Sequence, residues 1–263
     1  METILDRIIE QKKLELKRLR EQGLPFTGKP RVKHSFIEKL QKAEEISIIA
    51  EYKRASPSKG IINNAVEPKV QAAKYESYGA SAISVLTDET FFKGSYSDLA
   101  AVRESVDLPI LCKDFIIDPL QIDMAASHGA DIILLIVAAL HEETLQELYL
   151  YAKKLDLEVL MEVHNQKELD IALKTRAELI GVNNRDLKTF NVSLDVTENL
   201  AAQVKGSGAF LISESGIHRQ ADVKRVQEAG ANGILVGEAF MKSADVKQTF
   251  SDFRLSLTEG AKQ

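Results

Sequence analysis

The dominant pattern along the chain is an alternation of short β-branched apolar runs with longer amphipathic stretches. Short apolar runs bounded by turn residues predict buried strands, whereas apolar positions repeating every three or four residues predict helices. Each predicted strand is followed by a helix-type segment, such as Glu67–Tyr78 after the first strand and Glu142–Leu155 after the fourth. The predicted strands are Ile46–Glu51, Ala82–Thr87, Ile110–Lys113, Asp131–Val137, Glu158–Val163, Leu179–Asn183, Phe210–Glu214 and Gly233–Gly237.

Repeated strand–helix units predict a parallel sheet, and eight of them favour closure into a (β/α)8 barrel formed by one domain over residues 1–263. An open, doubly wound sheet is the competing arrangement. No G-x-G-x-x-G follows any predicted strand, which removes its dinucleotide-binding version. Gly79, Gly129 and Gly230 follow predicted helices, and we expect them to adopt the left-handed conformation that turns the chain back to the sheet.

Residues 1–45 form an N-terminal helical extension that the barrel does not require. Apolar spacing predicts an amphipathic helix over Glu2–Gln22, ended by Gly23 and Pro25, and a second short helix over Ser35–Lys42. Two interpretations are open. The extension either closes one end of the barrel core or covers part of a substrate pocket.

Composition excludes several classes of protein. With 44% hydrophobic and 28% charged residues among 263, the chain is neither disordered nor fibrous. A net charge of −5 without a basic run argues against a general nucleic-acid binder. Because Cys112 is the one cysteine, an internal disulfide and a thiolate cluster are excluded. The first residues lack the apolar region of a signal peptide. The longest apolar run, Ile132–Leu140, is too short to span a membrane. We therefore expect a cytoplasmic protein that binds no membrane.

Polar residues lie at the carboxyl ends of five predicted strands, the end at which barrel enzymes carry their active sites. Strand alternation places Glu51 and Lys53 on the same face as Ile49, Lys113 on the face of Leu111, and Glu162 on the face of Leu160. Asn183 and Asn184 end the sixth strand and are followed by Arg185, and Glu214 ends the seventh. Any one of these residues alone could be a solvated rim residue or a structural ion pair. Their convergence at one barrel end instead predicts a site for proton transfer.

A second group of residues indicates phosphate binding. Ser56 begins a Ser-Pro-Ser-Lys-Gly loop after the first strand, Ser215 and Gly216 follow the seventh, and Gly237 closes the eighth. The loops after the last two strands of a barrel often bind phosphate, although each glycine alone could be a turn residue. The loop after the second strand carries the paired aromatic residues Phe91 and Phe92, which either fill the core or contact an apolar part of a substrate.

Metal chemistry is weakly supported by this sequence. The histidines have no H-x-x-x-H spacing, and His164, the one near the predicted site, is best interpreted as a hydrogen-bonded residue. Lys113 could act as a Schiff-base nucleophile or as a proton donor, and the residues around it do not distinguish these roles. The residues alone therefore predict acid–base chemistry on a phosphorylated small molecule.

Five blocks of the sequence resemble the indole-3-glycerol-phosphate synthase family of tryptophan biosynthesis. They occur in family order along nearly the whole chain, and the E-x-K-x-x-S-P-S, K-D-F and N-x-R-D-L motifs among them are highly specific. The blocks are IAEYKRASPSKG (49–60), SVLTDE (84–89), PILCKDF (109–115), IGVNNRDL (180–187) and SESGI (213–217).

The resemblance implies a lyase that needs no cofactor or metal and converts 1-(2-carboxyphenylamino)-1-deoxyribulose 5-phosphate into indole-3-glycerol phosphate, CO2 and water. It implies Lys113 as general acid, Glu162 as general base and Lys53 as the group that holds the substrate carboxylate, although the two lysines could exchange roles in the dehydration. Glu51, Asn183 and Glu214 would orient these groups. Substrate binding would fall to Ser56, Pro57, Phe92, Phe115, Arg185, Leu187, Ser215, Gly216, Gly237 and Glu238. At Glu238 some family members carry serine, so we expect only its backbone N–H to face the phosphate.

Two rival interpretations remain. One is a phosphosugar isomerase or Schiff-base aldolase on the same barrel, and the other is a catalytically inactive barrel that serves as a binding module. Buried charges such as Lys113 and Glu162 argue against the second, because a scaffold does not need them. The expected partner is a small phosphorylated substrate rather than nucleic acid or membrane, and the oligomeric state is expected to be a monomer or a weak homodimer.

Overall fold

A computed structural model describes residues 3–22, 32–57, 60–61 and 66–257 of the chain. Parallel strands pair in chain order, and the first strand also pairs with the last, which closes the barrel predicted from the sequence. Ala50 lies opposite Val236 at this closure, and Glu51 lies opposite Ser84 on the other side of the first strand. The barrel strands are β1 Ser47–Tyr52, β2 Ala82–Leu86, β3 Ile110–Lys113, β4 Ile132–Ile136, β5 Glu158–Val163, β6 Leu179–Asn183, β7 Phe210–Glu214 and β8 Gly233–Val236. Every predicted strand is confirmed to within one residue at each end.

Helices connect the strands around the outside of the barrel, and a short antiparallel pair, Ala55–Ser56 with Gly60–Ile61, follows β1. The predicted left-handed residues are confirmed, since φ is +97° at Gly79, +93° at Gly129 and +112° at Gly230. The helices are α1 Ile4–Gln22, α2 Phe36–Gln41, α3 Pro68–Ser77, α4 Tyr96–Arg103, α5 Pro119–Ser127, α6 Glu142–Lys154, α7 Gln166–Lys174, α8 Asp195–Gly206, α9 Gln220–Ala229, α10 Glu238–Lys242 and α11 Val246–Phe253.

Strand alternation divides the core into an inner and an outer layer. On β1, Ile49 belongs to the cluster that fills the barrel, while Ile48 and Ala50 belong to the cluster between the strands and the helices. Leu111 and Leu160 join Ile49 inside the barrel, as the sequence pattern predicts. Glu51, Lys113 and Glu162 each follow one of these residues by two positions, so they lie at the carboxyl end of this inner face.

The second helix of the extension closes the amino-terminal end of the barrel. Phe36 and Leu40 of α2 belong to the inner cluster. Glu158, the first residue of β5, accepts hydrogen bonds from the backbone N–H groups of Phe36 (3.0 Å) and Ile37 (3.2 Å), which are otherwise unpaired at a helix start. The interpretation of the extension as a cap is therefore confirmed for α2.

The first helix lies at the opposite end of the barrel, where it covers the cleft described below. Ile4, Leu5 and Ile8 line that cleft. Lys12, further along the same face of α1, forms ion pairs with Asp88 and Asp114, which follow β2 and β3. α2 thus closes one end of the barrel and α1 covers the cleft at the other end, while the use of that cleft as a substrate pocket stays a prediction. The parts of the helix prediction that concern Glu2, Gly23 and Pro25 lie outside the described residues.

Candidate active site

A cleft opens at the carboxyl ends of the strands, and sixteen of the residues singled out in the sequence line it. Because every strand of a parallel barrel points the same way, residues far apart in the chain meet at this end. The predicted residues brought together are Glu51, Lys53, Ser56, Pro57, Phe92, Lys113, Phe115, Glu162, Asn183, Arg185, Leu187, Glu214, Ser215, Gly216, Gly237 and Glu238.

Lys113 lies at the centre of the polar part of the cleft. Its Nζ is 3.2 Å from Oε2 of Glu162 and also contacts Oε2 of Glu214, and its side chain is only 14% exposed. Burial disfavours the ammonium form, but Glu214, Glu162 and Glu51 outweigh burial and raise the pKa of Lys113 above its ordinary value. The residue is therefore charged at neutral pH, which suits a proton donor better than an amine nucleophile.

Glu162, at the end of β5, is held by a polar group on each side. Asn183 donates a hydrogen bond from Nδ2 to Oε1 of Glu162 at 3.2 Å, while Lys113 contacts Oε2. His164 lies on the remaining side, with Nε2 3.3 Å from Oε1. Burial favours the neutral acid, but Lys113 and His164 outweigh it and lower the pKa of Glu162 below its ordinary value. Glu162 is thus an ionised carboxylate that can accept a proton.

Glu214 shares Lys113 with Glu162 but has the opposite electrostatic character. Burial, together with the nearby Glu162 and Glu51, raises its pKa to about 7 even though Lys113 opposes this change. Ionising Glu214 is therefore costly, because it is buried and lies near two other carboxylates. Oε1 of Glu214 is buried without a hydrogen-bond partner. It faces Gly181, where an added Cβ would lie 2.2 Å from it, so the glycine leaves the space that this carboxylate occupies.

A second lysine–glutamate pair lies at the carboxyl end of β1. Nζ of Lys53 is 2.6 Å from Oε1 of Glu51, and Ser84 Oγ donates a long hydrogen bond of 3.5 Å to Oε2 of Glu51. Gly237 adjoins this pair, since a Cβ there would lie 2.7 Å from Oε1 of Glu51. The cleft therefore holds two ammonium groups, each paired with carboxylate, which is the arrangement expected for more than one proton transfer.

One wall of the cleft is apolar. The rings of Phe92 and Phe115 lie 5.9 Å apart, and Leu187 and Pro57 also line the cleft. Asp88 Oδ1 accepts hydrogen bonds from the backbone N–H groups of Phe91 (2.6 Å) and Phe92 (3.1 Å), which fixes the loop that carries Phe92. The wall can accept a flat apolar group beside the charged residues.

The loops after β7 and β8 form the other side of the cleft. Ser215 and Gly216 have positive φ angles of +65° and +84°, a turn in which successive N–H groups can converge on an anion. Gly237 precedes α10, whose first residue, Glu238, is paired through its carboxylate with Lys242 at 2.8 Å. That ion pair reduces the repulsion that a free carboxylate would exert on a phosphate. Ser58 and Lys59 of the predicted phosphate loop lie outside the described residues.

Arg185 supports the loop after β6. Its backbone N–H donates to Oδ1 of Asn183 at 3.1 Å, which orients the amide that contacts Glu162, and its Nη1 donates to the carbonyl of Phe190 at 3.3 Å. Arg185 thus joins the polar network around Glu162, and its part in binding substrate stays a prediction.

Among the described residues, no group of three His, Cys, Asp or Glu side chains is arranged to hold a metal ion. His164 is a buried, hydrogen-bonded residue, as its sequence context indicates. Burial raises the pKa of Cys112 to about 12, so this thiol is not a nucleophile at neutral pH. The helices of the described chain include none that is long and apolar enough to cross a membrane.

Sequence reasoning missed three contributors to the site. Ile4, Leu5 and Ile8 of α1 line the cleft, Lys12 anchors α1, and His164 contacts Glu162. The apolar stripe of α1 was visible in the sequence, but its position over the cleft was not. The order Asn165-x-x-Glu168 after β5 is a helix-start motif, and it could have indicated that His164 lies next to an ordered carboxylate.

Comparison with known proteins agrees with the geometry of the cleft. The family model described as indole-3-glycerol phosphate synthase matches residues 5–253. Curated relatives of that name from Bacillus cereus (strain G9842) and Oceanobacillus iheyensis are 51% and 50% identical over 257 residues, which is 98% of this chain and 100% and 98% of theirs. The relative from Bacillus mycoides (strain KBAB4), also of that name, is 50% identical over the same length. The chain therefore belongs to the indole-3-glycerol phosphate synthase family.

Proposed function

We propose that the chain is an indole-3-glycerol-phosphate synthase, a carboxy-lyase of tryptophan biosynthesis. Its substrate is 1-(2-carboxyphenylamino)-1-deoxyribulose 5-phosphate, and its products are indole-3-glycerol phosphate, CO2 and water. The observation that carries this proposal is the buried Lys113, which lies between Glu162 and Glu214 in a cleft with an aromatic wall. The name shared by relatives of about half-identical sequence supports it.

The reaction begins when the ring carbon that bears the carboxylate attacks the ribulose carbonyl. Negative charge develops on the carbonyl oxygen, and an ammonium group supplies the proton it needs. Lys113 suits this role, because neighbouring carboxylates keep it in the charged form and it lies at the centre of the cleft. Lys53, paired with Glu51, lies ready to hold the substrate carboxylate before it leaves as CO2.

Loss of CO2 restores the aromatic ring, and loss of water then completes the indole. Dehydration requires an acid at the departing hydroxyl and a base for the proton that is lost. Glu162, ionised and held by Asn183, suits the base, while either Lys113 or Lys53 could serve as the acid. Each well-placed group typically contributes about 10²–10⁴-fold to such a rate.

Binding energy from the two ends of the substrate orients the reacting centre. Phe92 and Phe115 would contact the anthranilate ring, and Ser56, Ser215, Gly216 and Gly237 would surround the phosphate. When both ends are held, the ring carbon lies against the carbonyl. The entropy cost of ordering the flexible chain between them is then met by binding rather than by the reacting step. We propose Glu214 as the acceptor for a sugar hydroxyl, because its Oε1 is buried without a partner.

The test is direct. Purified, EDTA-treated protein is mixed with the substrate, and indole fluorescence is followed. We expect growth of the indole signal without added metal or cofactor. A flat trace from folded protein would contradict the proposed reaction and favour a Schiff-base aldolase or an isomerase, and borohydride trapping of substrate on Lys113 would identify the aldolase.

A further inference from the structure

Two carboxylates enclose a buried histidine just beyond the end of β5. Nδ1 of His164 is 2.9 Å from Oε2 of Glu168, and Nε2 of His164 is 3.3 Å from Oε1 of Glu162. The side chain of His164 is only 8% exposed. Glu168, His164 and Glu162 thus form a row that leads from α7 into the cleft.

The outer end of this row is fixed by the start of α7. Asn165 accepts a hydrogen bond from the backbone N–H of Glu168 (3.1 Å) and donates one from Nδ2 to its Oε1 (2.6 Å). The backbone N–H of His164 also donates to Oε2 of Glu168 at 2.8 Å. These bonds hold Glu168 in one position, so the imidazole ring has a rigid support on the side away from the cleft.

Both ring nitrogens face carboxylate oxygens, which accept hydrogen bonds and donate none when ionised. Burial disfavours a charged ring, but Glu162 and Glu168 outweigh burial and raise the pKa of His164 to about 10. The ring is therefore an imidazolium over the whole neutral range. A charged ring at neutral pH therefore lies beside the carboxylate proposed as the general base, 3.3 Å from it.

The remaining groups around Glu162 show why a second cation matters. Asn183 is neutral and Lys113 is cationic, while Lys113 also contacts Glu214 and is influenced electrostatically by Glu51. In the proposed mechanism, Lys113 turns to the substrate and gives up a proton. During that step, His164 is the cation still in contact with Glu162 in the described part of the chain.

We propose that His164 is a positioning residue that holds the Glu162 carboxylate in place and in its ionised form while Lys113 acts on the substrate. This inference rests on the proposed function, since it assigns His164 a role through the proposed base. Glu168 acts one step further out by orienting the ring of His164.

The experiment compares His164→Gln and Glu168→Gln with wild-type protein in the fluorescence assay from pH 3.5 to pH 9, because the pKa of Glu162 lies below its ordinary value. His128→Gln is the matched control, because His128 is a half-buried histidine bonded to the carbonyl of Met124 (2.7 Å) and in ring contact with Tyr96 away from the cleft. Ring ¹⁵N spectra of the wild-type protein, assigned by the peak missing from His164→Gln, report whether the ring carries both protons. Thermal unfolding of each variant separates a loss of fold from a loss of function.

We expect His164→Gln to lower kcat about tenfold while KM changes much less, because positioning affects the reacting step. Without the imidazolium, Glu162 takes up a proton more easily, so the pH below which kcat falls should rise by at least about one unit. Glu168→Gln should raise the pH below which kcat falls by a smaller amount, and His128→Gln should leave that pH unchanged. The wild-type ring should be doubly protonated at pH 8.

A neutral ring at pH 8, or a His164→Gln variant whose kcat and pH profile match the wild type, would overturn this role. A variant that loses thermal stability but keeps both kinetic features would show that His164 is purely structural. These failures differ from failure of the proposed function, in which the wild-type protein itself would give no indole signal. Should His164→Gln not fold, Glu168→Gln decides, because a Glu168→Gln variant whose kcat and pH profile match the wild type would overturn the proposed role.

Discussion

Lys12→Met is expected to release α1 from the barrel, because Lys12 is the cation at the centre of a buried anionic cluster. Its Nζ lies 2.9 Å from Asp88 Oδ2 and 2.8 Å from Asp114 Oδ1, and the residue is 2% exposed. Burial disfavours the ammonium, but Asp114 and Asp88 outweigh it and raise the pKa of Lys12. Thr87 donates to Oδ2 of Asp114 at 2.6 Å, so the cluster is also tied to the end of β2.

The size of the effect follows from what the substitution leaves behind. Methionine fills similar space but leaves two buried carboxylates without their cation, and removal of one partner from a buried ion pair typically costs about 3–5 kcal/mol. Lys13 is the matched control on the same helix. It pairs with Glu10 at 2.6 Å, but the two side chains are 59% and 65% exposed, and exposed pairs contribute at most about 1 kcal/mol.

Hydrogen exchange of the α1 amides measures this difference without requiring global unfolding. A loss of about 3 kcal/mol in the free energy of local opening corresponds to exchange at least about 100-fold faster in Lys12→Met. Lys13→Met should change exchange by less than about tenfold. Because Ile4, Leu5 and Ile8 line the cleft, substrate binding should weaken in the Lys12 variant alone. Equal exchange in the two variants would refute the view that the buried cluster anchors α1.

Three further predictions concern the cleft. Lys113→Ala should lower kcat by at least about 100-fold and leave substrate binding partly intact. Steady-state kinetics measures kcat and calorimetric titration measures binding. Unchanged turnover would reject Lys113 as the acid. Gly181→Ala places a Cβ 2.2 Å from Oε1 of Glu214, so this carboxylate must move. We expect kcat/KM to fall about tenfold or more while thermal unfolding stays near normal. Normal kinetics would contradict the placement of Glu214. Burial raises the pKa of Glu214 from the ordinary 4.5 to about 7, so ionising it costs the folded state stability as the pH rises through that range. Glu214→Gln removes this cost, so its free energy of unfolding relative to wild type should increase as the pH rises from 5 to 8. Urea unfolding measures this difference, and a difference that does not vary with pH would contradict the raised pKa.

Much of the barrel could be predicted because its signals are local. A strand buried on both sides, such as Ile132–Ile136, is recognisable from a continuous apolar run, and a helix end such as Tyr78-Gly79 from the glycine that adopts positive φ. The register of Glu51, Lys113 and Glu162 followed from alternation with period two, which fixes the face of each side chain once one neighbour is known to be buried. Parallel topology then required these strand ends to meet, so the candidate site was predictable without any distance.

Contacts between elements distant in the chain needed the folded structure. The apolar stripe of α1 fits either end of the barrel equally well, and the choice depends on the pairing of Lys12 with Asp88 and Asp114, which lie 76 and 102 positions further along the chain. The protonation of His164 likewise depends on two carboxylates whose distances from the ring are set by the end of β5 and the start of α7. Periodicity specifies which face of an element is buried, whereas docking and electrostatic coupling depend on distances of a few ångströms that arise only when the barrel closes.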